Sequence, residues 1–142
     1  MQYSKIPKIV IDGTSEKAGR SERFTVFIGG KRVMLQGRSF RVFTMLALAA
    51  RLGLNNGGCV HGMDLSADGA TQAIYVLRKD LAAAAKGDYW LEQWAAGCLS
   101  SDRRGWWKLD ARPDRIVIPP ELAERFQDAM IGDMMGMLAQ GG

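Results

Sequence analysis

The chain has 142 residues, 47% hydrophobic and 24% charged, with a formal charge of +4. That length suits one domain around a single core, and the composition excludes a disordered or fibrous chain. No apolar run reaches the roughly 18–20 residues that span a bilayer and the N-terminus lacks a secretory signal, so a cytoplasmic protein without membrane association is expected.

In chain order, residues 1–22 read as a mostly flexible basic leader with one short strand at Ile9-Val10-Ile11. Phe24-Thr25-Val26-Phe27-Ile28 and Lys31-Arg32-Val33-Met34-Leu35 flank Gly29-Gly30, the pattern of a β-hairpin. From Ser39 the apolar period changes to three and four (Phe40, Phe43, Leu46, Ala47, Ala50), which predicts a helix capped by Ser39 and stopped at Gly53. Asn55-Asn56-Gly57-Gly58 is a turn, and Cys59 to Leu65 has room for a strand end or about one helical turn. A second helix is predicted over 68–85, with Ala70, Ile74, Leu77 and Leu81 on its apolar face and Ser66 or Asp68 as its cap. Its other face presents Thr71, Gln72, Tyr75, Arg78 and Lys79. Two aromatic-rich runs, Tyr89 to Leu99 and Trp106 to Leu109, flank the basic turn Ser100-Ser101-Asp102-Arg103-Arg104-Gly105 and read as a second hairpin, with residues 91–98 alternatively helical. Arg115 to Ile118 is a short strand, and Pro120 opens a last helix striped by Leu122, Phe126, Met130, Met134 and Met137.

Charge and chemistry-bearing residues narrow the function. Residues 1–51 carry +7, residues 52–111 carry −1 and residues 112–142 carry −2. A basic front of this kind either lies along phosphates or is a solvated segment that favours solubility. Cys59 and Cys98 are the only cysteines and His61 the only histidine. A structural zinc site takes about four such ligands, so neither metal nor cofactor is expected. Cys59 and His61 are separated by one residue without an orienting carboxylate, and no phosphate-binding glycine motif is present, so no catalytic residue is expected. The four tryptophans read as core or hairpin residues, or as stacking surfaces for unpaired bases.

Four stretches carry a resemblance. Val33-Met34-Leu35 leading into Phe40-Arg41-Val42-Phe43-Thr44-Met45-Leu46 is similar to a strand entering a first helix, and Cys59-Val60-His61-Gly62-Met63-Asp64-Leu65 to the opening of a second. Ile74-Tyr75-Val76-Leu77-Arg78-Lys79-Asp80-Leu81 looks like the end of a recognition helix, and Arg104-Gly105-Trp106-Trp107-Lys108-Leu109 like a wing. Together, over roughly residues 24–110, they resemble the winged-helix effector domain of OmpR/PhoB-type response regulators, without the receiver domain. The chain is shorter than that family between Leu65 and Thr71, longer between Leu81 and Gly105, and lacks the wing's second glycine.

Around a DNA-binding domain (23–111) the residues place a leader (1–22) and a C-terminal strand and extra Met-rich helix (112–142) that has no counterpart in the resemblance, which itself implies an α+β winged helix with an N-terminal β-hairpin. It implies a transcription regulator for double-stranded DNA, not an enzyme. Thr71 and Gln72 would meet base edges, Arg78 guanine or phosphate, Tyr75 and Lys79 the backbone, and Arg103, Arg104 and Lys108 would serve the wing. Leu122, Phe126, Met130, Met134 and Met137 would either join two copies or a protein partner, or pack on their own core. The alternative function is a winged-helix module that binds a protein instead of DNA.

Overall fold

A computed structural model describes residues 6–66 and 69–126 and, within them, every side chain except those of residues 18, 56, 102 and 103. The fold is mixed α+β, with two small sheets and a helical layer between them. Strands β1 (Ile9–Ala18), β2 (Ser21–Ile28) and β3 (Lys31–Gln36) form an antiparallel meander. The β2–β3 turn is the expected hairpin: Ile28 pairs with Lys31 across Gly29 and Gly30, whose φ values of 59° and 85° are the left-handed pair that a two-residue turn needs. The segment expected as a mostly flexible leader instead supplies the ten-residue β1, because Ile9 and Ile11 are completely buried against the helical layer. Beyond Ile11 the ladder is irregular, and Ser15–Ala18 pairs with residues 21–24 as a ribbon that is polar except for its end at Phe24, so Ser15–Lys17 carry no apolar signal.

Helix α1 (Gly37–Leu52) is buried nearly all round, with only Arg41 exposed between Ser39 and Ala50. Gly53, in the left-handed conformation, ends it as expected and donates to the carbonyls of Ala49 and Ala50. Its start is corrected: Gln36 occupies the cap position, and Ser39 lies inside the first turn with its hydroxyl buried and unpartnered. Small residues on α1 let other segments approach. A Cβ on Gly58 would stand 2.6 Å from the Ala50 Cα, so that turn requires glycine.

A single turn, α2 (Leu54–Gly57), leads to β4 (Cys59–His61) and the short α3 (Gly62–Leu65), so the segment from 59 to 65 is both the strand end and the helical turn expected. Helix α4 (Ala70–Ala85) begins at Gly69, which replaces Ser66 or Asp68 as the cap; Asp68 lies outside the described residues. Its buried residues are Ala73, Ile74, Leu77, Asp80, Leu81 and Ala85, while Ala70 of the expected apolar face is half-buried. The aromatic run after it is not a strand: Tyr89–Gly97 is helix α5, capped by the Asp88 carboxylate, which accepts from the Leu91 N–H at 3.0 Å. Spacing explains the outcome, since Leu91, Trp94 and Ala95 fall at helical intervals and all three are buried. The second hairpin is therefore β5 (Leu99–Arg103) and β6 (Trp106–Leu109), and β4 adds to β6 to complete the three-stranded sheet.

A 3-10 turn (Pro113–Arg115) precedes β7 (Ile116–Val117), the expected strand, and helix α6 covers 120–126. Strand β7 pairs in parallel with β1, Ile9 opposite Ile116, and the Arg51 guanidinium donates to the Ile116 carbonyl at 3.2 Å. The C-terminal segment thus closes the N-terminal sheet instead of standing apart from the domain before it.

Candidate nucleic-acid interface

Thr71 and Gln72 lie in the first turn of α4 and are exposed. Tyr75 follows one turn later, 53% exposed, and the Lys79 ammonium sits 5.6 Å from the centre of its ring. The spacing of four makes Thr71, Tyr75 and Lys79 one solvent-facing stripe with Gln72 beside it, opposite the face locked into the core.

Two contacts lock α4 in place. The Asp80 carboxylate accepts from the backbone N–H and the side-chain amide of Gln36, each at 3.2 Å. It supplies from a different helix the acceptor that α1 lacks at its own start, where negative charge is favoured. Asp80 carries no expectation of its own in the sequence; its position three residues after Leu77, on the buried face, is the available signal. On the exposed side, the Arg78 guanidinium donates to the Leu99 carbonyl at 3.0 Å and lies 5.9 Å from the centre of the Trp107 ring. Arg78 thereby ties α4 to both strands of the second hairpin, and a stack of this kind suits a guanidinium.

The hairpin tip meets the start of α4 through α3. Gly62 donates to the Gly105 carbonyl at 2.8 Å, and a Cβ on Gly62 would stand 2.7 Å from the Ala70 Cβ. His61 caps α3 by accepting from the Met63 N–H at 3.2 Å, and its ring sits edge-on to Trp106 at 5.1 Å. Exposed Arg104 at the tip and exposed Thr71 and Gln72 therefore occupy the same end of the molecule, with Met63, 75% exposed, beside them. His61 and Met63 were not among the expected contacts, and nothing in their spacing pointed to them. Lys108 is half-buried in mid-strand, facing as its partners Cys59 and Ser100 do. The Arg103 backbone pairs with Trp106, and its side chain lies outside the described set.

The basic front is distributed along ordered elements. Arg41 donates to the Leu65 carbonyl at 3.1 Å and Arg38 to the Ser66 hydroxyl at 3.5 Å, bracing the α3–α4 junction from α1. Arg32 pairs with Glu16, and Lys31 with Asp88 at 3.8 Å. Of the stripe on the last helix, Leu122 and Phe126 are half-buried and pack against the core, while Met130, Met134 and Met137 lie outside the described residues.

Burial pushes the Cys98 thiol up to about 12, with the nearby Asp110 charge adding to the shift and a backbone hydrogen bond and Arg78 opposing it. That thiol is not a nucleophile near neutral pH. Among the described residues no cluster of three metal-ligating side chains exists, and no helix is long and apolar enough to cross a membrane. The chain matches no protein-family model, no curated protein and no solved structure.

Proposed function

We propose that the protein is a winged-helix regulator that binds double-stranded DNA, with α4 as the recognition helix and the β5–β6 hairpin as the wing. The observation that carries this reading is that exposed Thr71 and Gln72, at the start of the stripe that Tyr75 and Lys79 continue along α4, share one end of the molecule with the hairpin tip, the helix being tied to the hairpin by Arg78. A major groove about 12 Å wide admits one helix, and Gln72 has the amide geometry for a bidentate pair with adenine. Thr71 supports it at the base edges, Tyr75 and Lys79 hold the backbone, and Arg103, Arg104 and Lys108 serve the adjacent minor groove and its phosphates. In this reading the methionine-rich sequence after Phe126 joins two copies, so that paired half-sites lie about one DNA turn apart. The protein works in the cytoplasm and performs no catalysis.

Fluorescence anisotropy with random duplex and its separated strands, at low and near-physiological salt, tests the reading. Duplex is bound in preference to single strands, and affinity falls steeply with salt. Lys79→Ala and Arg104→Ala each flatten the log–log salt slope by about 0.9, one phosphate's share, without changing the unfolding midpoint. Absence of duplex binding at low salt sinks the proposal. A second reading, a protein-docking module, is favoured by exposed Tyr89 and Trp90 on α5, 77% and 41% accessible. It predicts partner binding that depends little on salt.

A further inference from the structure

Helix α5 lies against α4 and leaves a cleft of about 270 Å³ between them, lined by Arg78 and Ala82 of α4 and Glu92, Ala95 and Ala96 of α5. Its two walls carry opposite charges that form no ion pair with each other within 4.0 Å. The guanidinium is held by the Leu99 carbonyl and the Trp107 ring, and with five N–H groups it keeps donors to spare. Among the described residues the rest of the lining is alanine, and Ala82 and Ala96, like Arg78 and Glu92, are exposed, so the cleft opens to solvent.

We propose that this cleft binds a small zwitterion of the α-amino acid class with an apolar side chain. The ligand carboxylate meets Arg78, its ammonium meets Glu92, and its side chain covers the alanines. Charge and size select this class together. A plain anion would face the Glu92 carboxylate and a plain cation the Arg78 guanidinium, while the volume lies just under the roughly 300–1,000 Å³ of sites for drug-sized ligands. A fixed guanidinium makes a bidentate carboxylate contact with little further ordering. Because the same guanidinium ties α4 to the hairpin, a carboxylate drawing on it alters the brace between reading helix and wing. The cleft is therefore an effector site. Binding itself does not depend on the proposed DNA reading; only its regulatory consequence does.

The test is a titration of the ¹⁵N-labelled full chain, without DNA, followed by amide shifts, with L-leucine as the probe. Saturable shifts are expected at residues 78, 82, 92, 95 and 96 and at the Trp107 indole N–H, with a Kd on the order of 1 mM for about nine heavy atoms. Leucinamide, which lacks the carboxylate, and N-acetylleucine, which lacks the ammonium, bind at least about tenfold more weakly. Ala96→Phe fills the cleft from an exposed position, abolishes the shifts and leaves the spectrum elsewhere native. Absence of saturation up to about 20 mM, equal binding of the two analogues, or undiminished shifts in Ala96→Phe overturns the proposal. Any of these results leaves the duplex-binding measurement untouched, so the two readings fail separately.

Discussion

Cys98 shows how one residue's surroundings become a property of the whole chain. Its thiol is raised from 9.0 to about 12, chiefly by burial, so the folded chain keeps a proton that the unfolded chain releases between those values. Stability conferred by the neutral thiol is complete below about pH 9 and declines above it, by about 1.4 kcal/mol per pH unit, up to the folded pKa. Urea unfolding of wild type and Cys98→Ala at about pH 8, 9.5 and 10.5 checks this: the wild type loses its advantage as pH rises, and a pH-independent difference refutes it. Sequence alone marked Cys98 as one of two isolated cysteines. Its inertness depends on the absence of water around the sulfur, which is supplied by residues distant in the chain.

At the scale of elements, α4 works because it is fixed on both sides, by Asp80 to the start of α1 and by Arg78 to the hairpin. Asp80→Ala leaves the Gln36 N–H without its acceptor and costs about 1–3 kcal/mol, read as a lower urea midpoint with unchanged slope. Asp80→Asn, which keeps one acceptor oxygen, loses less; an unchanged midpoint in both would show that the α1 start is satisfied without this carboxylate. The exposed residues of α4 were legible beforehand, because Ile74, Leu77 and Leu81 fix the face and everything opposite follows by geometry. The engagement of Arg78 was not legible, since its acceptor lies 21 residues away on a strand placed by an intervening helix. Helix α5 itself is ambiguous because a short aromatic-rich run satisfies both strand and helix patterns; burial of Leu91, Trp94 and Ala95 on one side decides it.

At the scale of the molecule, the chain is closed by its own C-terminal segment. Ile116 and Ile118 are 2% and 9% exposed, and β7 covers the β1 edge of the N-terminal sheet. A chain cut after Ala111 loses both isoleucines, worth about 1.5–3 kcal/mol each, together with the packing of Leu122 and Phe126. Against a typical total of about 5–15 kcal/mol, that loss leaves the shortened chain largely unfolded at room temperature in a far-ultraviolet circular dichroism melt. An unchanged melting temperature would mean that residues 112–126 are an appendage.

The sequence by itself determined the β2–β3 hairpin, the extents of α1 and α4 to within a few residues, the β7 strand and the polar face of α4. Each rests on a local rule: paired left-handed glycines, a helical apolar period, or a short β-branched run ended by proline. Tertiary structure decided the rest. It drew β1 into the N-terminal sheet, made Tyr89–Gly97 a helix, set Gly105 against Gly62 and placed Arg78 between α4 and the hairpin. These outcomes depend on partners remote in sequence, and a local pattern cannot encode which buried face a segment meets once the chain has closed on itself.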